Sequence, residues 1–166
     1  MNCPNCGAPM KRLETRPCWQ CHHCSSMVCE ETALTSGLRL VERDAGEVRS
    51  CPVCRVPLVS AIMDGADRLE LCPQCKGILM PRRTFAVTIT AKRRAAVTPG
   101  VIPSPTDAKD LDRRISCPVC GGGMTTDWYY GPGNIVLDTC PACDVAWLDG
   151  GELERVVDAP GSDRPA

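Results

Sequence analysis

Cys117-Pro118-Val119-Cys120, followed after 19 residues by Cys140-Pro141-Ala142-Cys143, is the stretch of sequence that decides the fold. Each Cys-x-x-Cys segment lets one tight turn present two sulfur atoms to a single ion. Four thiolates from two such turns are the ligand set of a closed, tetrahedral structural zinc site. The loop between them is close to the length found in such sites. These residues therefore predict a zinc ribbon, in which a β-hairpin links two metal-binding turns.

Two further couples of Cys-x-x-Cys segments precede this one, with 14 and 17 residues between their paired turns. Three couples predict three Zn²⁺ per chain, and iron is the main alternative because rubredoxin-type sites use similar turns. The predicted ligands are Cys3, Cys6, Cys21, Cys24, Cys51, Cys54, Cys72, Cys75, Cys117, Cys120, Cys140 and Cys143.

The composition offers little material for a large hydrophobic core. The 166 residues include one Phe, two Tyr and three Trp, against 15 Pro and 14 Gly. A segment of about 40 residues is near the size at which metals replace a core, and a structural zinc site contributes roughly 10–16 kcal/mol in peptides. No secretory signal or membrane-length apolar run is visible. We therefore expect a cytoplasmic protein whose thiols bind metal rather than form disulfides.

Superimposing the three couples reveals one repeated unit. An apolar residue lies four positions after the last cysteine of every pair, which predicts a lid of side chains over each metal site. We expect the three units to share little core and to fold as independent modules. The lid residues are Met10 and Val28 in the first unit, Leu58 and Leu79 in the second, and Met124 and Trp147 in the third.

The fold class is predicted to be small, metal-stabilised and mostly β, with three tandem zinc ribbons. Strand-like segments at 125–130 and 135–139 flank a turn at 131–134, and segments 56–63 and 68–71 repeat this pattern. In the first unit, segments 12–14 and 18–20 are short and ambiguous.

Short helices are predicted after the second and third ribbons. Asp149 precedes an acid three residues later and then an apolar series, which predicts a helix N-cap. The aligned helix in the second unit starts near Pro81 and runs to Arg94, with Phe85 and Ile89 in register with Leu153 and Val157.

The sequence divides into five segments. The first ribbon, which is irregular, covers 1–48, and the second covers 49–97 and includes a basic C-terminal helix. A Pro-rich linker at 98–114, with room for one helical turn, leads to the third ribbon at 115–158. Residues 159–166 are predicted to be a disordered tail.

The third unit also contains Asp138 before its second cysteine pair and ends in Trp147-Leu148-Asp149-Gly150-Gly151-Glu152-Leu153. With the Cys-Pro-x-Cys turn, these residues resemble the bacterial zinc ribbons named after transcription initiation factor IIB. The second unit resembles a diverged copy, and the first keeps the two cysteine pairs and little else. The whole chain is similar to bacterial multi-ribbon proteins of this group. The resemblance implies a zinc-ribbon fold and a binding role, but not contact with DNA.

Cysteines and histidines outside the repeat leave one alternative open. Cys18 forms a second Cys-x-x-Cys frame with Cys21, which competes with the Cys21/Cys24 pair, while Cys29 is expected to be a small buried residue. His22 and His23 are expected to be exposed turn residues. Because each site has four thiolates and no open position, we expect no enzyme activity and no small-molecule substrate.

Charge distribution yields two hypotheses for partners. The formal charge is −1, but twelve thiolates and three Zn²⁺ would make it about −7, which disfavours indiscriminate nucleic-acid binding. We expect a protein-interaction adaptor or accessory subunit. The alternative is a transcription-associated protein that binds nucleic acid through the basic segment 76–94. The candidate partner contacts are Arg82, Arg83, Arg93 and Arg94 for phosphate, and Trp128 and Tyr130 for bases or protein.

Overall fold

The computed structural model describes residues 2–3, 6–12, 18–23, 27–29, 37–41, 46–63, 68–96, 100–103 and 105–163. For residues 18, 20 and 27–29 it describes the backbone alone. The chain divides into two compact units, Met1–Gly37 and Leu38–Ala166. The predicted ligand Cys24 and the side chain of Val28 lie outside the described part.

The first unit contains a three-stranded sheet in the order β1-β2-β3. Its antiparallel strands are β1 (Met10–Arg12), β2 (Cys18–Cys21) and β3 (Met27–Cys29). The register of β1 on β2 places Met10 opposite Cys21, and Met10 is buried with Cys3 and Cys21. An antiparallel strand pair therefore lies between Cys6 and Cys21, and its first strand starts two residues earlier than predicted.

The second unit contains a seven-stranded antiparallel sheet that spans both remaining ribbons, in the order β4-β5-β6-β7-β10-β9-β8. The hairpins predicted between the cysteine pairs are confirmed as β5-β6 and β8-β9. The strands are β4 (Leu38–Leu40), β5 (Val59–Met63), β6 (Arg68–Leu71), β7 (Ile78–Pro81), β8 (Thr125–Trp128), β9 (Val136–Cys140) and β10 (Val145–Leu148).

The two ribbons join where β7 pairs with β10. In the register of this antiparallel pair, Leu79 lies directly opposite Trp147. Both residues follow the last cysteine of their ribbon by four positions. Equivalent residues of the two repeats therefore meet at the centre of the sheet, which gives the second unit approximate internal two-fold symmetry.

Alternation along these two central strands separates two hydrophobic cores. Ile78, Met80, Ala146 and Leu148 belong to the core under the helices. Leu79 and Trp147 point the other way and pack with cysteines of both metal clusters. The continuous apolar runs of β7 and β10 thus reflect strands that are buried on both faces.

The expectation that the second and third ribbons share little core is wrong. Each of the two cores contains residues from both ribbons, and Gly77 packs so closely on the Trp147 ring that a Cβ atom there would overlap it. Strand pairing satisfies backbone hydrogen bonds at the edge of each ribbon that an isolated module would leave to water. The two ribbons are therefore parts of one folded unit.

Helix α1 (Arg82–Ala95) and helix α2 (Glu152–Asp158) follow β7 and β10. The apolar positions Phe85, Ile89 and Leu153 are buried as their spacing predicted, while Val157 is partly buried against the same core. The predicted N-cap Asp149 is wrong, because the cap of α2 is Gly151, whose φ is 91°.

The segments before and after the third ribbon are partly ordered. Within the predicted linker, a 3₁₀ helix occupies Ala108–Asp112, where one helical turn was expected. The prediction of a disordered tail is wrong for residues 159–163. Ala159, Pro160 and Asp163 accept hydrogen bonds from Arg93. The remaining segment boundaries stay predictions.

Candidate metal centres

The third ribbon gathers its four predicted ligands in one cluster. The Sγ atoms of Cys117, Cys120, Cys140 and Cys143 all lie within 4.8 Å of one another, and those of Cys120 and Cys140 are 3.8 Å apart. The backbone N–H of Val119 donates to the Cys117 sulfur at 3.4 Å. Such N–H···S hydrogen bonds favour a thiolate over a thiol.

The second ribbon forms the same cluster from Cys51, Cys54, Cys72 and Cys75. The sulfur atoms of Cys51 and Cys75 are 3.7 Å apart. The Cys51 sulfur accepts from the N–H groups of Val53 and Cys54, at 3.4 and 3.2 Å. Both ribbons therefore build the first turn of the site in the same way.

The backbone after each Cys-x-x-Cys pair has a left-handed conformation at every described position. The residue that follows the second cysteine has a positive φ, between 52° and 75°. Three of these five residues are not glycine, so this conformation opposes their preference. A tight turn that points two sulfur atoms at one ion accounts for it. The residues are Gly7, Arg55, Lys76, Gly121 and Asp144.

The first unit brings together three of its four predicted ligands. Cys3, Cys6 and Cys21 lie within 4.8 Å of one another, with 3.5 Å between the sulfur atoms of Cys6 and Cys21. The backbone places Cys18 opposite Cys29 on β2 and β3. The fourth ligand, predicted as Cys24, lies outside the described residues, so the choice between the two overlapping pairs stays a prediction.

The spacing and chemistry of these donors fit zinc. A tetrahedral ion with Zn–S bonds of 2.3 Å separates its sulfur ligands by about 3.8 Å, close to the distances of 3.5 to 3.8 Å found in the three clusters. A disulfide needs about 2.05 Å, and none of the eleven cysteines whose side chains the structure describes is in a disulfide. The twelve predicted cysteines would hold three zinc ions, whose chemistry here is to cross-link the turns.

Without a cation the four thiols of the third ribbon differ in acidity. The N–H of Gly122 lowers the pKa of Cys120 to about 7. Hydrogen bonding to Cys120, followed by burial, raises the pKa of Cys143 to about 12. Four adjacent thiolates therefore require a compensating positive charge, which a divalent ion supplies.

The predicted apolar lids of the second and third ribbons are present, and the two ribbons share them, whereas the Val28 side chain of the first lid lies outside the described part of the chain. Leu58 and Leu79 from one ribbon and Met124 and Trp147 from the other form a single core with Cys51, Cys72, Cys117 and Cys140. Met10 is buried beside Cys3 in the first unit. One lid therefore covers two metal sites, and it joins the ribbons as well as shielding the sulfur atoms.

A buried polar network supports the third ribbon. The carboxylate of Asp138 is fully buried and accepts hydrogen bonds from Arg113 and from the Thr126 hydroxyl. Arg113 also donates to Asp149, which accepts from the Trp147 indole N–H at 3.0 Å. This network fixes the orientation of the Trp147 ring within the shared lid.

Sequence reasoning missed Arg113, although a signal was available. It lies four residues before the first cysteine of the third ribbon, opposite an acid two residues before the third cysteine. The second ribbon has a similar ion pair, because Arg49 donates to Glu70 at 3.0 Å. An arginine before the first turn and an acid before the second recur in both ribbons.

The candidate partner contacts fall into two groups. Arg82, Arg83 and Arg94 are exposed on α1, and Arg82 lies 3.7 Å from Asp144 of the third ribbon. Arg93 is only 1% exposed, so its assignment as a partner contact is a correction. Its guanidinium binds the carbonyl oxygens of Val156 and Ala159 and the carboxylate of Asp163.

The aromatic residues of the third hairpin alternate between surface and core. Tyr129 packs edge-on against Phe85 with 5.3 Å between ring centroids. On either side of it, Trp128 is 43% exposed and Tyr130 is 97% exposed. We call Trp128 and Tyr130 the hairpin patch.

Comparison with known protein families finds a match for the third ribbon. A family model described as a transcription factor zinc-finger, a zinc ribbon of the TFIIB type, matches residues 116–159. No curated protein and no solved structure matches the chain. Neither helix in the described part of the chain has the length and apolar character that crossing a membrane requires. The third ribbon is therefore similar to TFIIB-type zinc ribbons, and the cysteine clusters mark the chain as a zinc-binding protein.

Proposed function

We propose that this chain is a non-enzymatic adaptor whose zinc ions are structural and whose surface binds a protein partner within a larger assembly. The two clusters described in full each use four thiolates, which leaves no ligand position for substrate or water. Their cysteines form part of the core that joins the two ribbons. The metals therefore stabilise a rigid platform.

The hairpin patch is the observation that carries this proposal. Tyr129 anchors the hairpin to Phe85 of α1, which holds the exposed Trp128 and Tyr130 on a rigid support. Tyrosine and tryptophan provide a large contact area at little cost in conformational entropy, and they are enriched among the residues that dominate binding energy. A protein partner is the class of ligand that such a surface suits best.

Co-purification from the protein's own host tests this proposal. We expect a defined protein to be recovered with the wild type after nuclease treatment. The double variant Trp128→Ala, Tyr130→Ala should recover at least tenfold less of it, while Val87→Ala, an exposed change on α1, should recover it in full. Equal recovery by all three proteins would contradict a role for the hairpin patch.

Nucleic-acid binding is the second candidate, because the matching family is described as a transcription factor zinc-finger. Arg83 and Arg94 are exposed on α1, although Arg82 and Arg93 already pair with acids of the same chain. Phosphate contacts would make the affinity fall steeply as salt rises. Charge reversal at Arg83 and Arg94 should then abolish binding to duplex DNA or RNA, whereas it should leave adaptor activity unchanged.

A further inference from the structure

The two ribbons fill equivalent positions on the metal-bearing face of the sheet differently. In the third ribbon this space holds the Trp147 ring, which lies over Gly77 of the other ribbon and donates its N–H to Asp149. The repeat equivalents of Trp147, Gly77 and Asp149 are Leu79, Val145 and Pro81, in that order, and all three line an open space on the other side of the two-fold axis. Leu79 has a smaller side chain than Trp147, and although it is buried it borders this open space.

The open space is a groove of about 470 Å³ between the two ribbons. Its apolar lining includes Leu79, Val119 and Val145, and its polar lining includes Glu47, Arg49, Arg68 and Glu70, together with the metal ligand Cys143. This volume is in the range of pockets that bind small ligands, which is enough for a large side chain. The groove belongs wholly to the second unit, and it shares Leu79 with the lid over both metal clusters.

The chemistry of the groove favours a flat aromatic group with one polar edge. Val119 and Val145 present an apolar surface to a ring face, with the buried Leu79 behind them. The partly exposed guanidinium of Arg49, held by Glu70 at 3.0 Å, offers a planar cation for stacking on the ring. The third ribbon uses a tryptophan at the equivalent place, beside an arginine and two carboxylates.

We propose that this groove binds a tryptophan side chain of an extended segment of the partner protein. The chain supplies the precedent, since Trp147 occupies the equivalent position of the other repeat, against Gly77 and Asp149. Protein interfaces are commonly centred on an aromatic side chain that is buried in a pocket and surrounded by a polar rim. The inference rests on the proposed adaptor function and adds a second contact to the hairpin patch.

The chain offers a matched pair of variants for the test. Val119 and Val53 occupy the same position in the first turn of their ribbons, in the sequence Cys-Pro-Val-Cys, and they are 41% and 46% exposed. Val119 lines the groove, whereas Val53 is not among its lining residues. Val119→Asp should therefore block binding, while Val53→Asp controls for the effect of an acid beside a zinc turn.

The experiment is an NMR titration of the zinc-loaded full-length protein with the blocked tripeptide acetyl-Gly-Trp-Gly-amide. We expect saturable shifts of the amides of Leu79, Val119 and Val145, at least tenfold weaker binding by Val119→Asp, and unchanged binding by Val53→Asp. The Gly-Leu-Gly tripeptide should bind at least tenfold more weakly than the Trp peptide. Shifts that do not saturate, or that both variants weaken equally, would overturn the proposal.

Partner capture separates failure of this proposal from failure of the adaptor function. If the tripeptide does not bind and Val119→Asp still captures the partner, the groove proposal is overturned and the adaptor function stands. If the tripeptide binds the groove but the host yields no protein partner, the adaptor function is contradicted. The groove then retains its specificity for an aromatic ring, but the assignment of that ring to a partner protein is overturned.

Discussion

The second and third ribbons have the same turns, hairpins and following helices, yet they bring different side chains to the sheet centre. The third contributes Trp147, oriented by Asp149 and Arg113, and the second contributes Leu79 beside an open groove. Zinc turns determine the backbone of both ribbons, because the ions fix the sulfur positions whatever surrounds them. Side chains outside the turns were therefore able to diverge, so that one repeat stabilises the unit and the other keeps a binding surface.

Loss of a metal ligand should have the largest effect on stability, and it should unfold the second and third ribbons together. Cys140→Ser removes a thiolate from a site that contributes roughly 10–16 kcal/mol, and the shared core transmits the loss to the second ribbon. We expect native amide signals to disappear from both ribbons in NMR spectra, and the zinc content to fall from three to about one ion per chain.

Cys6→Ser is the control for this variant, because it removes a ligand from the other compact unit. It should leave the amide signals of residues 38–163 unchanged. A Cys140→Ser protein that retains two zinc ions and a native second ribbon would refute the shared unit and restore the expectation of independent modules.

Of the two residues that face each other at the sheet centre, Trp147 should contribute more to stability than Leu79. Trp147→Ala removes a fully buried ring and leaves Asp149 without its indole donor, so we expect a loss of about 3–5 kcal/mol in the free energy of unfolding. Leu79→Ala should cost about 2–3 kcal/mol, because Leu79 is also buried but its truncation removes fewer atoms and breaks no side-chain hydrogen bond. Denaturant unfolding of both zinc-loaded variants measures the difference, and equal losses would argue against the asymmetry.

The Arg113–Asp138 ion pair of the third ribbon should also contribute more to stability than the Arg49–Glu70 pair of the second. Arg113→Ala leaves the fully buried Asp138 without its cation, which should cost about 3 kcal/mol. Arg49→Ala disrupts a pair in which the arginine side chain is 38% exposed, so the cost should be about 1 kcal/mol. Chemical denaturation distinguishes these values. A larger loss for Arg49→Ala would mean that the ion pair in the second ribbon is the more important support.

The smallest expected effect is a change in how folding stability depends on pH when Glu152 is replaced. Burial raises the pKa of Glu152 to about 8, above its usual value of 4.5, so the folded state retains a proton that the unfolded state releases. Stability should therefore fall as pH rises from about 5 towards 8. Glu152→Gln should flatten this slope between pH 6 and 8 in zinc-loaded protein, a range chosen to avoid metal release in acid. An unchanged slope would exclude Glu152 as its source.

Local features of this fold were predictable because they depend on residues close in sequence. The turns follow from Cys-x-x-Cys spacing, and the hairpins follow from apolar segments that flank Gly131-Pro132-Gly133-Asn134. The predicted N-cap of α2 was wrong because the Asp149 side chain binds Arg113 and Trp147. Gly151 therefore occupies the cap position.

Long-range features were not predicted, although the sequence contains a signal for one of them. The consecutive apolar residues of Ile78–Pro81 and Val145–Leu148 are typical of strands buried on both faces, and this pattern could have revealed that β7 and β10 pair. Arg93 looked like a surface cation, but carbonyl oxygens more than 60 residues later bury it. Such contacts depend on how distant elements pack, which local spacing does not encode.

Native-state hydrogen exchange tests most directly whether the second and third ribbons form one cooperative unit. The slowest amides of β6 and β7 should exchange with the same free energy of opening as those of β9 and β10, because the sheet and both cores cross the boundary. Equal values that shift together in Trp147→Ala would support the shared unit. A second ribbon that opens separately, at a free energy about 2 kcal/mol lower or more, would contradict it.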